Sequence, residues 1–395
     1  MSRAPRPYPP IMRTMLLPIL AAAAMALPAA AEPRVETLAI GAAAPDFSLP
    51  GTDGRTWRLA DFADARVLVV VFTCNHCPDA RAASGRIRAL DESFRDRGVR
   101  VVAISGNDPL ALRLDETGYS VWGDSFEEMK HHAREHQWAF PYLYDGDTQA
   151  ATKAYGAQAT PHAFVFDAAR RLRYTGRLDD GGRNPAAPAK SQARDAIEAV
   201  LAGRDPDPAT TRPVGCSTKW AWKRDSVQQD NEAWAARPVE LAELDAAGAG
   251  KLRANPSGNL RLVNLWMLGC TPCLAEFPDL VDTYRRFQGR PFELVTISID
   301  PPADHAKALE LLRRNHAAVA DHTAAALAKE GRATNNFRFT GDPDALAKAL
   351  DDEWNGALPH SLLVAPGGAV VWRHTGRVNP VELRRAIVSW LDRNG

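Results

Sequence analysis

The sequence has no surplus of charge of either sign. Its 395 residues include 48 Lys or Arg and 48 Asp or Glu, so the formal net charge is zero. Nucleic-acid-binding domains usually carry a basic surplus or a basic stripe, and long-range attraction of a highly charged partner needs a net field. We therefore expect no nucleic-acid partner.

Cysteine is also scarce. The chain contains five cysteines: Cys74, Cys77, Cys216, Cys270 and Cys273. Dense disulfides are a device of small secreted domains that lack a core, whereas this chain is long enough for two domains and 45% hydrophobic. Four of the cysteines form two C-x-x-C pairs, and a bridge over so short a loop removes little chain entropy. Reactivity therefore explains the pairs better than stabilisation does.

Long apolar runs are absent after residue 31. Residues 1–31 contain three arginines, then the uncharged run Met15–Ala31, which ends in small residues. This pattern is typical of a secretory signal peptide, so we expect cleavage after Ala31 and an exported, periplasmic and soluble protein. The alternative is an uncleaved segment that anchors the protein with its domains facing the periplasm. The run is marginal for spanning, which needs about 20 residues.

The rest of the chain alternates strands and helices in two similar units. The apolar runs "VLVVVF" (67–72) and "LRLVNLWML" (260–268) are typical of strands buried on both faces. In each unit a C-x-x-C pair follows this strand where a helix is predicted, and an X-Pro-His step precedes a terminal hairpin. We predict domains at 38–204 and 237–395, joined by a Pro- and Asp-rich linker at 205–236 that contains Cys216.

A thiol at a helix N-terminus faces unpaired backbone N–H groups and the positive end of the helix dipole. Both favour the thiolate, which is the nucleophile, and a second cysteine one turn later can resolve a mixed disulfide. We therefore predict that Cys74 and Cys270 attack, and that Cys77 and Cys273 resolve.

The order strand, C-x-x-C, helix, X-Pro and hairpin resembles the thioredoxin superfamily over nearly all of the mature chain. The stretch "LVNLWMLGCTPCLAEFP" (262–278) is similar to exported reductases of the TlpA/ResA type. The stretches "APDFSLPGTDGRTWRLADF" (44–62) and "FTCNHCP" (72–78) resemble AhpC/TSA redoxins, and "RPVGCSTKW" (212–220) resembles the tail that some of these carry.

This resemblance implies an α/β fold of two tandem thioredoxin-like domains, each with a mixed central sheet flanked by helices. It implies that Pro161 and Pro359 are cis and lie against redox-active disulfides Cys74–Cys77 and Cys270–Cys273. The implied function is thiol-disulfide exchange with protein dithiols or disulfides, supplied with electrons by an upstream thiol protein. This chemistry requires no dissolved cofactor.

Two further side chains are expected to tune the sulfurs. A protonated His76 would favour thiolate in the first pair and make that pair the more oxidising one. Glu276 lies three residues after Cys273 on one helix face. If it is buried its pKa rises and it can accept the proton of the resolving thiol, although a surface acid is the simpler alternative. The first unit has Ala80 at the matching position.

Several alternative interpretations of the cysteine pairs remain. Structural zinc needs four ligands close together, and the haem-attachment motif needs His where this chain has Pro78 and Leu274. Both are disfavoured. A thioredoxin-like copper chaperone could use Cys74 and Cys77 with His76 or His162. A thiol peroxidase is possible too, although no proline precedes Thr73 as in the peroxidatic signature. The first unit could also bind a partner without chemistry.

The remaining candidates are weaker. Glu128, His132 and His136 share one helical face, which we interpret as solvated rather than metal-binding. His162 and His360 are expected to be hydrogen-bonded strand residues, and Trp266 to be core beneath the second pair. Cys216 is left open as a buried thiol, a third partner of one pair, or an intermolecular link.

Overall fold

Two mixed sheets with helices on their faces form the architecture of the protein. The computed structural model describes residues 35–184 and 190–394, except for the side chain of residue 325. The predicted signal segment 1–31 lies outside the described residues. Over the described ranges, no helix combines the length and the apolar character needed to cross a bilayer.

The first domain is built on a five-stranded sheet in the order β5-β4-β3-β7-β8. Strands β3, β4 and β5 are parallel, and β7 and β8 are antiparallel additions. The strands up to the end of this domain are β1 Ser48–Pro50, β2 Thr56–Arg58, β3 Val67–Phe72, β4 Val99–Ser105, β5 Tyr142–Tyr144, β6 Ala159–Thr160, β7 His162–Phe166 and β8 Leu172–Gly176. The predicted hairpin at residues 45–62 is confirmed, since β1 pairs antiparallel with β2.

The second domain has a six-stranded sheet in the order β10-β13-β12-β11-β14-β15. The first four strands in this order are parallel, and β14 and β15 are antiparallel. The remaining strands of the described chain are β9 Cys216–Ser217, β10 Ala242–Leu244, β11 Leu260–Trp266, β12 Phe292–Ser298, β13 Asn336–Phe339, β14 His360–Val364 and β15 Val370–Thr375. Both central strands, β3 and β11, are buried along their whole length, as their apolar runs predict.

Helices cover the faces of both sheets. In the described ranges they are α1 Pro78–Phe94, α2 Phe126–Glu135, α3 Ala150–Tyr155, α4 Gln192–Leu201, α5 Arg224–Ala235, α6 Ala246–Ala254, α7 Thr271–Phe287, α8 His305–Arg314, α9 Asp321–Lys329, α10 Pro343–Leu350 and α11 Pro380–Asn394. Helix α1 follows β3 and helix α7 follows β11, so each cysteine pair lies at the predicted junction of strand and helix.

The segment 205–236, predicted to be a linker, contains regular secondary structure. It contains β9, which pairs with β6, and the helix α5. Its Pro- and Asp-rich start is typical of a linker, but Trp220 and Trp234 bury all but 8% and 4% of their surfaces. Apolar surface of that size holds the segment against the domains.

The two domains pack on each other through the C-terminal part of α7. The buried guanidinium of Arg286 donates from Nε to Thr117 O at 3.1 Å and from an Nη to Ser120 O at 2.9 Å. Arg290 donates to Gly118 O at 3.3 Å. A buried charge that donates to carbonyls of the other domain ties the two domains together.

Replacing Arg286 by Met should weaken this contact, because two carbonyls would lose a charged donor. We expect the free energy of unfolding to fall by about 3 kcal/mol, measured by urea denaturation. Arg313→Met, at an exposed position of α8, is the matched control and should have little effect. Equal stability of the two variants would contradict the role of Arg286.

Candidate active site

Cys77 occupies the N-cap of α1 and is fully buried. Its Sγ lies 3.2 Å from Thr160 O, to which the thiol form donates, and accepts from the backbone N–H of Cys216 at 3.3 Å. Thr160 precedes Pro161, and the peptide bond between them is cis. The cis state expected at Pro161 is thus confirmed, and the sulfur of Cys77 lies against that step.

Cys74 lies just after β3 and is 1% exposed. Its Sγ is 3.1 Å from Oγ1 of Thr160. Cys74 and Cys77 are both free thiols, as is Cys216, which packs against them. The first pair therefore belongs to a cluster of three sulfurs rather than two.

The three thiols hold very different pKa values. Hydrogen bonds from Cys216 and Cys74 lower the pKa of Cys77 far below its ordinary value, against the effect of burial; His76 and the Ala80 N–H add to the lowering. Burial, followed by the hydrogen bond with Cys77, raises the pKa of Cys74. The hydrogen bond with Cys77, followed by burial, raises the pKa of Cys216. The three shifts together favour the thiolate on Cys77 over a thiolate on Cys74 or Cys216.

This result corrects the prediction that Cys74 is the acidic thiol of the first pair. Helix α1 begins at Pro78, so its amide end meets Cys77, whereas Cys74 lies too early in a buried loop. The position of the proline was a usable signal, because proline is favoured at the first helical position. In "CNHCP" the proline follows the second cysteine, while in "CTPC" it lies between the two.

His76 forms a buried ion pair beside these sulfurs. Its Nδ1 lies 2.6 Å from Oδ2 of Asp124, and both side chains are fully buried. Burial disfavours the imidazolium, but the charge and hydrogen bond of Asp124 outweigh it, and the pKa of His76 is raised. The expected cation next to Cys77 is therefore supported, and Asp124 is the partner that the sequence did not reveal.

Asp124 is the centre of a buried network. Its Oδ1 accepts from the backbone N–H groups of Asn75 and His76 at 2.9 and 3.0 Å. Its Oδ2 also accepts from Nδ2 of Asn107 at 2.7 Å. Asn107 Oδ1 in turn accepts from the backbone N–H of Lys219 at 2.9 Å, which ties the loop of the first pair to the segment carrying Cys216.

One group among the described residues has the spacing of a metal site. Ligand atoms of Cys74, His76 and Asp124 all lie within 4.8 Å of one another. Within the described ranges, Nε2 of His76 is buried without a hydrogen-bond partner. His162, the other histidine considered for copper, is engaged at both nitrogens, by Gln158 N at 3.2 Å and Thr175 Oγ1 at 3.0 Å.

The second pair is a disulfide between Cys270 and Cys273. Cys270 is the N-cap of α7, as predicted, and its Sγ accepts from the Cys273 N–H at 3.3 Å. Cys270 is partly exposed, whereas Cys273 is fully buried. The second pair therefore offers one open sulfur and one hidden sulfur.

The surroundings of the second pair agree with the expectations for Trp266 and Pro359. Trp266 is fully buried in an apolar cluster with Cys273, and its ring meets Phe277 edge to face at 5.2 Å. Leu358 packs against the same cluster, and the Leu358–Pro359 bond is cis.

Glu276 is a buried acid on α7. Its Oε1 accepts from Nδ2 of Asn264 and its Oε2 from the backbone N–H of Val378, both at 2.8 Å. Burial raises its pKa. The alternative of a surface acid is therefore wrong, and the carboxyl has the perturbed pKa expected of a proton acceptor.

The prediction that Glu128, His132 and His136 form a solvated face is wrong for His132, the middle residue of the three. His132 is 1% exposed, and burial lowers its pKa to about 3. Its Nε2 lies 3.3 Å from Ser84 Oγ, and its ring packs on His136. Helix α2 lies against α1 through this face, a tertiary contact that residue polarity alone does not reveal.

The other strand histidine behaves as expected. His360 is hydrogen-bonded on both sides, by Thr375 Oγ1 at 2.8 Å and Asp351 Oδ2 at 3.0 Å.

Comparisons with known proteins identify related sequences for both domains. The model of the AhpC/TSA family matches residues 40–175 and again residues 237–373. Chloroplastic peroxiredoxin Q of Populus jackii is 35% identical over 69 residues, which cover 18% of this chain and 32% of that protein. The chain thus spans about a third of the length of this relative.

Two solved structures match parts of the chain. A hypothetical protein of Sinorhizobium meliloti 1021 is 33% identical with a TM-score of 0.42, over 47% of this chain and 97% of that chain. The thioredoxin domain of a thiol-disulfide oxidoreductase from Bacteroides vulgatus is 18% identical with a TM-score of 0.28, over 34% of this chain and 86% of that chain.

His76→Asn should make the first pair less oxidising. Losing the cation destabilises the Cys77 thiolate, which destabilises the reduced form and favours the disulfide. We expect the equilibrium constant with glutathione to shift about tenfold, the equivalent of about one pKa unit, in full-length protein carrying Cys270→Ser and Cys273→Ser. His131→Asn, on the exposed side of α2, is the control. A shift toward the dithiol would contradict the prediction.

Glu276→Gln should slow the resolving step of the second pair by about 100-fold, the lower end of the effect of a positioned proton acceptor. If Glu276 is the acceptor of the Cys273 proton, it accepts that proton as the carboxylate above its raised pKa and cannot do so as the acid below it. The rate of the resolving step should therefore rise with pH through that pKa in the parent protein. In the variant this rise should be absent. The measurement is release of the second thionitrobenzoate from an aromatic disulfide. Asp279→Asn, on the same helix, should keep the rise of the rate with pH. If this control variant loses the rise as well, a specific role of Glu276 is ruled out.

Proposed function

Because this chain belongs to the AhpC/TSA family, we propose that it is a thiol-disulfide oxidoreductase that acts on protein thiols through two C-x-x-C sites. The single observation that carries the proposal is the asymmetry of the second pair. Cys270 is partly exposed at the start of α7, and its partner Cys273 is buried. Disulfide exchange requires a nucleophilic thiol that a client can reach and a resolving thiol that the client cannot reach.

The reaction at the second pair proceeds in two exchanges. The Cys270 thiolate attacks one sulfur of a client disulfide, and the other client sulfur leaves as a thiolate. Cys273, after losing its proton to Glu276, attacks Cys270 Sγ and releases the client as a dithiol. Two electrons pass to the client, and the Cys270–Cys273 disulfide remains for an upstream thiol protein to reduce.

The first pair is proposed to be the more oxidising of the two. Its reduced form is stabilised by the charge on Cys77, and a pair whose reduced form is stabilised is the better oxidant. A difference of about 30 mV corresponds to only about 1.4 kcal/mol, which one buried cation next to a thiolate can supply. The two domains would then serve clients of different redox state.

Export to the periplasm, after removal of residues 1–31, is part of the proposal and rests on the composition of that segment. An oxidising compartment suits disulfide exchange. We propose protein dithiols and disulfides as clients and no dissolved cofactor, since every electron in the scheme moves between sulfurs.

Peroxide reduction is the second candidate. The family match is equally compatible with it, and the relative with 35% identity over 69 residues is a peroxiredoxin. A peroxidase needs a thiolate that a peroxide can reach, and the thiolate of the first pair is on the fully buried Cys77. Soft-metal binding is favoured by one observation, the grouping of Cys74, His76 and Asp124.

Three full-length variants test the proposal. Two have one pair replaced by serines, and the third has both pairs replaced. With a dithiol donor, the variant that keeps Cys270 and Cys273 should reduce insulin disulfides, and the variant with all four serines should not. Equilibration with glutathione should find the first pair more oxidising by about 30 mV or more.

A Cys273→Ala variant should accumulate mixed disulfides on Cys270. Insulin reduction that survives the loss of both pairs would refute the proposal. Peroxide consumption or copper-thiolate absorbance that depends on the first pair, without disulfide exchange, would favour the second candidates.

A further inference from the structure

Cys216 has a defined place against the first pair. Its backbone N–H donates to Cys77 Sγ at 3.3 Å, and its side chain packs against Cys74, Cys77 and Ala80. Strand β9, which begins at Cys216, pairs antiparallel with β6, so that Cys216 lies opposite Thr160. The third thiol therefore meets the same cis-proline step as the first pair.

The segment that brings Cys216 to this position is held by buried contacts. Gly215 has a φ of 139°, and a Cβ there would lie 1.9 Å from Thr160 O, so only glycine allows so close an approach. Thr218 donates from Oγ1 to Ala157 O at 2.8 Å, and Lys219 O accepts from Gln149 Nε2 at 2.9 Å. Both residues are buried. The segment is thus a fixed part of the site.

Accessibility separates the three sulfurs. Cys74 is 1% exposed and Cys77 is fully buried, whereas Cys216 is partly exposed. A thiolate from another protein can attack a disulfide only along the line of its S–S bond, and a buried Cys74–Cys77 bond offers no such approach. A bond that includes Cys216 has one of its two sulfurs on a partly exposed residue.

We propose that Cys216 is a third redox thiol of the first site, and that Cys77 forms two alternative disulfides, Cys74–Cys77 and Cys77–Cys216. This inference rests on the proposed function in that it assigns a route for thiol-disulfide exchange at the first pair. The Cys77–Cys216 form is the one that reacts with client dithiols.

The exchange between the two forms needs no outside reagent. Starting from Cys74–Cys77, the deprotonated Cys216 attacks Cys77 Sγ; the Cys77–Cys216 bond forms, and Cys74 leaves as a thiolate that takes up the proton lost by Cys216. Starting from Cys77–Cys216, a client thiolate attacks Cys216 Sγ and Cys77 leaves as the thiolate. The second thiolate of the client then attacks the client sulfur of the mixed disulfide. The disulfide of the client forms, and Cys216 leaves as a thiolate. The client loses two electrons, and the protein gains them.

The direction of attack follows from the chemistry of the leaving sulfur. Exchange is faster when the departing sulfur is stabilised as a thiolate, and Cys77 lies at the N-cap of α1 and accepts from the Cys216 N–H at 3.3 Å. Attack at the partly exposed Cys216 therefore releases Cys77 into a position where the helix N-terminus and the Cys216 N–H stabilise its thiolate.

Disulfide mapping tests the proposal directly. Full-length protein carrying Cys270→Ser, Cys273→Ser and Cys74→Ser is reduced, exposed to oxidised glutathione and digested at acid pH without reductant. Mass spectrometry should find the peptide that joins Cys77 to Cys216 as the main product. Recovery of these cysteines only as free thiols or glutathione adducts would overturn the proposal.

A kinetic measurement separates this inference from the proposed function. In the background of Cys270→Ser and Cys273→Ser, the oxidised first site should oxidise a dithiol peptide, and Cys216→Ser should slow this at least about tenfold. The neighbouring exposed Ser217→Ala is the matched control and should have the parent rate. Equal rates for the two variants would overturn the role of Cys216 while leaving the proposed function intact. Absence of exchange in the parent background and at the second pair would refute the proposed function itself.

Discussion

The contact between one sulfur and the N-terminus of the helix that follows it governs the chemistry of both domains. In the first domain that sulfur belongs to Cys77, and in the second it belongs to Cys270. The same physical effect, amide N–H groups that favour a thiolate, therefore acts on the second cysteine of one pair and the first cysteine of the other. Two motifs that look alike in sequence thus place opposite sulfurs at the helix N-terminus.

The two sites also differ in what covers them. The second pair keeps Cys270 partly open, whereas the first pair is closed by the segment 215–219, which adds a third sulfur and a buried network through Asn107 and Asp124. Burial makes the charge pair of His76 and Asp124 persist, because solvent cannot screen it. In the closed site the neighbouring groups stabilise the Cys77 thiolate strongly, but a client cannot reach it directly.

The domain contact involves the end of α7 opposite to Cys270. Arg286 donates to backbone carbonyls of the first domain, and Cys270 lies at the other end of α7, about 24 Å away along the helix axis. This contact therefore does not bring the second disulfide to the first domain. The surroundings described for each pair come from its own domain: segment 215–219 for the first pair and the apolar cluster of Trp266 and Phe277 for the second.

Sequence by itself determined the α/β architecture, the two buried central strands, the placement of each C-x-x-C pair at a strand-to-helix junction and the two proline steps. These features follow from local patterns: apolar runs, helix-start signals and spacing along the chain. It did not determine that Asp124 pairs with His76, that His132 is buried, that Glu276 lies in the core, or that Cys216 meets Cys77. These contacts join residues up to 139 positions apart, and they depend on how helices and a connecting segment pack over the sheets. Burial and long-range pairing set the pKa of each group, so only the tertiary structure decided which sulfur carries the charge.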